Sequence, residues 1–313
     1  TTPERKITAR VKIYRCLYEA AQPLSKPELA EQLALSMPTV HQSIAELLDA
    51  DLVQAAGLRQ SRGGRPAVGY AINPLARFAV GVLLTQTRIR LVATDLYLQS
   101  VAYKSVESPA LLQPLAMGSH IARELEVFLD EYGLNRQKLL GVGIALPAII
   151  DMARKKILLA PTLHLQNIDL ADIQNAIPYP NFVENDGNCG GYAEWFMQTE
   201  RNNIVYLSLE EGVGGAILID GVPYNGTNGR SGEFGHICVE PGGRKCQCGQ
   251  CGCLEAYCSS LRLTGDTDLT AEQFFDKLAL GELRCAALWQ EYLDHLAVGI
   301  NAIRMVMDCD VVL

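Results

Sequence analysis

The chain has 313 residues, 49% of them hydrophobic, with 27 Lys and Arg against 35 Asp and Glu. That length and apolar content suit two or three packed domains and exclude a wholly disordered chain. No apolar run is long enough to cross a bilayer, and Thr1-Thr2-Pro3-Glu4-Arg5-Lys6 does not lead into a signal-peptide core, so a soluble, cytoplasmic protein with no membrane partner is expected. The net charge of −8 is unevenly spread: residues 1–72 hold nine Lys and Arg against seven acids, +2, while the remainder carries −10. A mildly basic head on an acidic body predicts that only the head meets phosphates.

From Glu4 to Ala20 apolar residues recur at helical spacing, with Ile7, Val11, Tyr14 and Leu17/Tyr18 on one face, and Pro23 ends the pattern. Ser25, with Glu28 three residues on, is a capping-box signal for a second helix from Lys26 to about Leu33, with Leu29 and Leu33 facing the core. After the turn Ala34-Leu35, Ser36 N-caps a third helix, Met37 to about Ala50, with Pro38 in its first turn. Val40, Ile44, Leu47 and Leu48 should face the core. Thr39, His41, Gln42 and Ser43 are then left near Ser36 at the N-terminal end, where a recognition helix offers polar groups to base edges and phosphates. Two short strands, Leu52–Gln54 and Val68–Ile72, flank a Gly-rich tip. They read as a wing whose Arg62 and Arg65 can enter a narrow minor groove. The expected module is a winged helix-turn-helix on operator DNA.

Asn73-Pro74 breaks the strand pattern and separates a DNA-binding domain, 1–73, from an effector domain, 74–313. Phe78 to Leu91, followed by Val92-Ala93-Thr94-Asp95-Leu96, reads as a hairpin of buried strands. Leu111 to Tyr132 is helical, and Leu139 to Ile150 carries a strand ending at Pro147. Ile204-Val205-Tyr206-Leu207 and Ala216-Ile217-Leu218-Ile219 are further strands. The class is α/β, with no internal repeat visible.

Five of the ten cysteines fall between Cys246 and Cys258. In a long chain without a signal peptide that density points to metal. His236 followed by Cys246-Gln247-Cys248-Gly249-Gln250-Cys251-Gly252-Cys253 supplies four N/S ligands for a tetrahedral Zn2+. With no position left for water, the ion is structural. Cys251 is a spare thiol that can stand in for Cys253.

Gly232-Glu233-Phe234-Gly235-His236, the Cys246-x-Cys248-Gly249-x-x-Gly252-Cys253-Leu254-Glu255 run, and Val183-Glu184-Asn185-Asp186 together resemble the ROK family (repressors, open reading frames and sugar kinases). The winged helix looks like its repressor branch. The resemblance implies an actin-like, ribonuclease H-like, two-lobed sugar-kinase fold behind the head. It implies zinc on His236, Cys246, Cys248 and Cys253, and a sugar pocket lined by Asn185, Asp186, Glu233, His236 and Glu255. The kinases' first phosphate loop, Asp-x-Gly-Gly-Thr, is here Leu83-Leu84-Thr85-Gln86-Thr87. The second, Gly-Thr-Gly-x-Gly-Gly, is Glu210-Glu211-Gly212-Val213-Gly214-Gly215. Without glycines in the first and with two added carboxylates in the second, ATP has no grip. The expectation is a non-enzymatic repressor of carbohydrate-metabolism genes, acting as a homodimer or dimer of dimers and controlled by a sugar or sugar phosphate. An ATP-dependent sugar kinase is the alternative, and a protein partner from sugar transport is a third possibility. The family usually continues beyond Asp310-Val311-Val312-Leu313, so the chain looks incomplete at that end, and Thr264-Gly265-Asp266 looks like an abbreviated loop.

Overall fold

Three helices and a three-stranded sheet build the head. A computed structural model describes residues 9–59, 67–107, 114–198 and 203–313. Helix α1 (Ala9–Glu19) is followed by strand β1 (Leu24–Ser25), α2 (Lys26–Leu33), α3 (Met37–Asp49), β2 (Val53–Arg59) and β3 (Ala67–Ile72). The caps are the expected ones. Ser25 and Glu28 form a capping box on α2, and Ser36 Oγ accepts the Thr39 N–H on α3 at 3.3 Å. Ile13, Leu17, Leu29, Val40, Ile44 and Leu47 close the core against Val53 and Ile72.

Two faces differ from the sequence expectation. On α1 the inward stripe is Ile13 and Leu17, whereas Val11 is exposed. Tyr14 and Tyr18 lie at the margin of that stripe because they meet a neighbour outside the head. On α3, Leu48 is exposed and Ser43 is buried. Ser43 sits between the inward Val40 and Leu47, so it leaves the open face on which it was expected. The wing strands run longer than foreseen, with an irregularity between Ala55 and Leu58. Arg62 and Arg65 lie outside the described residues.

The body begins with β4 (Phe78–Leu84), β5 (Arg88–Thr94) and β6 (Ser100–Glu107), an antiparallel meander, then α4 (Pro114–Glu131) and β7 (Leu139–Leu146). The expected strand to Ile150 breaks at Pro147. It resumes as β8 (Ile149–Asp151), which pairs with β9 (Lys156–Ala160) and β10 (Leu165–Asp169) in a small sheet. After α5 (Ala171–Gln174) comes β11 (Asn181–Asn185), giving the order β11-β7-β4-β5-β6, with β7 parallel to both β4 and β11. Ile121, Leu125, Phe128 and Leu129 of α4 fill its core.

Helix α6 (Asp186–Met197) leads to β12 (Ile204–Leu209), β13 (Val213–Ile219) and β14 (Val222–Pro223). Then follow α7 (Glu255–Cys258), α8 (Ser260–Gly265), α9 (Ala271–Ala279), α10 (Leu283–Met307) and β15 (Val311–Val312). The order β14-β13-β12-β15, with β15 parallel to β12, repeats the first lobe: a meander, then a strand parallel to its first member. This internal repeat is topological and leaves no trace in residue identity. Thr264-Gly265-Asp266 proves to be the end of α8, where Arg244 and Arg262 hold the Asp266 carboxylate.

Head and body have separate cores that meet at one turn of the body. The turn from β5 to β6 is stiffened by Asp95, whose Oδ1 accepts the N–H groups of Tyr97 at 2.8 Å and Gln99 at 2.9 Å. Leu96 and Tyr97 on this turn pack onto the head's apolar cluster. Tyr97 stacks on Tyr18 with ring centroids 5.0 Å apart, and Tyr18 stacks in turn on Tyr14. Lys138 pairs with Asp51 at 3.1 Å. That exposed pair adds little, so the rings carry the joint. Tyr97→Ala should cost about 0.5–1.5 kcal/mol in ring contact beyond the lost apolar burial. Calorimetry should therefore show the head melting earlier with the body transition unmoved, and a head transition identical to wild type would refute the packed joint.

Candidate functional site

The second lobe carries the metal-type cluster. Phe234–His236 forms a single 3-10 turn, and the Cys-rich loop folds back so that Cys238 bridges Cys253 and Lys245 bridges Cys251. Gly252 permits this reversal: its φ is +84°, and a Cβ there would fall 1.9 Å from the Glu240 carbonyl oxygen. One ligand atom each from His236, Cys246, Cys248 and Cys253 lies within 4.8 Å of every other. Cys251 is outside the set, so of the two thiols left open by the sequence the loop selects Cys253. Thiolates bound to zinc at about 2.3 Å in a tetrahedron sit about 3.8 Å apart. Here Cys248 Sγ and Cys253 Sγ are 3.7 Å apart, and Cys246 Sγ is 3.8 Å from His236 Nδ1. The donor set and spacing fit a four-coordinate ion.

The polar residues expected around a sugar stand where the lobes meet. Asn185 ends β11 and caps α6: its Oδ1 accepts the Asn188 N–H at 2.9 Å and its Nδ2 donates to the Ala148 carbonyl at 3.0 Å. Asp186 follows, with Oδ1 accepting the Gly187 N–H at 2.9 Å. Burial, and then the acidic Glu210 and Glu233, push its pKa up to about 6. Glu233 Oε2 is 3.8 Å from His236 Nε2, so His236 turns one nitrogen to the cysteines and the other to Glu233. Glu255, at the start of α7, accepts the Val213 N–H on Oε2 at 3.0 Å and lies 3.6 Å from Cys246 Sγ through Oε1. It therefore ties the Cys-rich loop to the turn between β12 and β13, a tie the sequence does not reveal. One further residue, Asn188, was not foreseen. Buried Asn188 donates to Glu184 Oε1 at 3.1 Å and to Asn225 Oδ1 at 2.8 Å, joining the strand end to the loop after β14. Its spacing of three from Asn185 on one helix was the available signal.

The two turns at phosphate-loop positions are closed on themselves. Thr85 donates its N–H to the Arg88 carbonyl at 2.8 Å, and its hydroxyl accepts the Arg88 N–H at 3.1 Å. Glu210 N–H donates to the Gly212 carbonyl at 3.0 Å.

On the head, Ser36, His41 and Gln42 are exposed and Thr39 is half-buried at the start of α3. Gln42 Nε2 donates to Glu46 Oε1 at 3.2 Å, and Arg10 pairs with the same carboxylate at 3.0 Å. Lys26, not singled out in the sequence, is 3.1 Å from His41 Nδ1 and adds a cation to this face.

A DNA-binding head fused to a two-lobed, kinase-like body defines a class of regulator, and comparison places the chain within it. The ROK family pattern matches residues 79–313 and a winged helix-turn-helix DNA-binding pattern matches residues 9–54; the chain belongs to the ROK family, in its DNA-binding branch. It is 29% identical over 293 residues to the xylose repressor of Bacillus subtilis (strain 168), spanning 90% of this chain and 75% of that protein. It is 26% identical over 251 residues to the DNA-binding transcriptional dual regulator NagC of Escherichia coli (strain K12), spanning 79% and 61%. In fold it matches a ROK family transcriptional regulator, a homologue of the E. coli MLC protein, with a TM-score of 0.73 at 24% identity over 95% of this chain and 79% of that one. It also matches a ROK glucokinase from Streptomyces griseus, with a TM-score of 0.62 at 21% identity over 75% and 81%. Among the described residues no helix is long and apolar enough to cross a membrane.

Asp186 makes the geometry testable through pH. Its carboxyl is more basic folded than unfolded, so the folded state holds the extra proton. The stability it contributes is complete below the ordinary 3.8 and is lost as pH rises through about 6. Relative to Asp186→Asn, the wild type should lose on the order of 2–3 kcal/mol of unfolding free energy between about pH 4 and pH 7. A difference that does not change with pH in denaturant titrations would refute the buried, acid-flanked setting.

Proposed function

We propose that the chain is a sugar-responsive repressor of carbohydrate-metabolism genes, in which the kinase-like body senses a sugar or sugar phosphate and catalyses no phosphoryl transfer. The observation that carries this reading is the packed joint. Leu96 and Tyr97, on the sheet that also bears Asn185, pack onto the head, so a ligand that moves the lobes also moves the DNA-reading helix. The division at Asn73-Pro74, the cytoplasmic setting and a homodimer or dimer of dimers belong to the same reading, and a partner from sugar transport is compatible with it.

On the head, Ser36 and the α3 N-terminus meet phosphate, and Thr39, His41 and Gln42 reach base edges. Arg62 and Arg65 on the wing follow the minor groove. Gln42 can place its amide on adenine once it leaves Glu46. In the body, Asn185, Asp186, Glu233, His236 and Glu255 serve the sugar hydroxyls as acceptors and donors. His236, Cys246, Cys248 and Cys253 would hold Zn2+, which would cross-link the Cys-rich loop in a structural role. With the cysteines as thiolates, Glu255 Oε1 has no thiol donor and is free for a hydroxyl.

An active kinase is the weaker reading. The turns that should cradle polyphosphate carry Leu83, Thr85, Gln86, Glu210 and Glu211, and phosphoryl transfer needs donor, metal and base together.

Two measurements test these halves separately. On DNA selected from a random library by the intact protein, Gln42→Ala should weaken binding by about 1–3 kcal/mol and relax preference at one base position. An unchanged selection and affinity would refute the recognition-helix assignment. Elemental analysis should find one zinc per chain, lost in Cys248→Ser together with a lower melting temperature of the body. Full zinc retention in that variant would transfer the ligand role to Cys251.

A further inference from the structure

Five carboxylates converge on the interlobe site, Glu184, Asp186, Glu210, Glu233 and Glu255, and Glu211 stands beside Glu210 on the exposed turn from β12 to β13. Among the described residues, none of these carboxylates has a Lys or Arg partner within the 4.0 Å of an ion pair, and the one basic side chain within that distance is His236, beside Glu233 at 3.8 Å. The charges acting most strongly on Asp186 are Glu210 and Glu233, and those acting on Cys189, three residues along α6, are Glu184 and Asp186.

The backbone tells the same story independently. A phosphate needs unspent N–H donors, usually at a helix N-terminus or in a Gly-rich turn. Donors at three such places around this site are already committed. At the start of α6, Gly187 N–H goes to Asp186 and Asn188 N–H goes to Asn185. At the turn from β12 to β13, Glu210 N–H goes to Gly212 and Val213 N–H goes to Glu255. At the turn from β4 to β5, Thr85 and Arg88 satisfy each other. A hydroxyl suits such a site because it donates to carboxylates. A phosphate ester offers only acceptors and two further negative charges.

We propose that the site takes an uncharged sugar bearing a free terminal hydroxyl and rejects the corresponding phosphate ester, with Glu210 and Glu211 as the discriminating groups. This rests on the sugar-sensor reading above and narrows its effector to one chemical class. Glu210 and Glu211 replace the residues that resemble a phosphate-binding Gly-Thr. They therefore do more than remove ATP: they turn a phosphate-accepting surface into a phosphate-repelling one.

Calorimetry on the intact chain tests this with matched pairs: xylose and xylose 5-phosphate, glucose and glucose 6-phosphate, N-acetylglucosamine and its 6-phosphate. For whichever sugar binds, the neutral member should bind at least about tenfold more tightly, equivalent to about 1.4 kcal/mol, and it alone should release the selected DNA. A phosphate ester that binds as tightly as its neutral partner, or more so, overturns the inference and leaves the sensor reading standing. Silence across all three pairs overturns both. The double variant Glu210→Gln/Glu211→Gln changes two exposed turn positions. It should narrow the gap between neutral and phosphorylated sugar at least about fivefold at low salt, where such charges are least screened. An unchanged gap would overturn the assignment to these two side chains.

Discussion

The geometry of the site depends on one hydrogen bond, from Val213 N–H to Glu255 Oε2. Glu255 stands two residues after Cys253, and its Oε1 lies 3.6 Å from Cys246 Sγ, at the edge of the His236–Cys246–Cys248–Cys253 cluster. Val213 opens β13, so the same bond fixes the turn that holds Glu210 and Glu211. Glu210 in turn acts on Asp186 across the lobes. Leu254 and Tyr257 on either side of Glu255 are buried in one apolar cluster with Phe274, Leu288 and Tyr292, so packing holds this carboxylate in place.

Around that loop the chain adds a second set of restraints. Tyr257 stacks on His295 of α10 with centroids 3.9 Å apart, and its hydroxyl accepts the Arg244 N–H at 2.8 Å. Arg262 is largely buried yet paired with both Asp266 and Glu291. A buried guanidinium is tolerated only when its charge is met this way. Together these contacts make the Cys-rich loop, α7, α8 and α10 one block, with Cys258 and Cys285 as buried packing residues within it.

Much of this was legible in residue order, for identifiable reasons. Caps, turn glycines and metal ligands act over a few residues, so Ser25, Ser36 and the Cys-x-Cys run declare themselves. What escaped depends on partners distant in the chain. Val11 and Ile13 have similar side chains, and which stripe of α1 turns inward is set by partners distant in the chain: Val40, Ile44 and Leu47 around Ile13 and Leu17, and Tyr97, 79 positions beyond Tyr18, at the margin. Ser43 is small enough to be buried at a position where its polarity argued for exposure. Cys251 and Cys253 are chemically equal, and the loop's register against Cys238 chooses between them. The repeat between the lobes lies in strand order, which residue identities need not preserve.

The packed joint also limits how a ligand signal can travel. The head could swing freely if only the exposed Lys138–Asp51 pair joined it to the body. Instead Leu96 and Tyr97 pack against the head's apolar cluster, on a turn braced by Asp95. Packed interfaces shift between discrete arrangements and do not bend continuously. The first lobe and the head must then move together, and the compliant joint lies between the lobes, where Asn185 and Asp186 face Glu233, His236 and Glu255. Coupling free energies in such systems run about 1–3 kcal/mol, less than the cost of breaking that packed joint. Under the proposed sensor reading the head is re-aimed as a unit, and in a dimer whose two heads must match half-sites a helical turn apart a small rotation would be enough to cost operator contact.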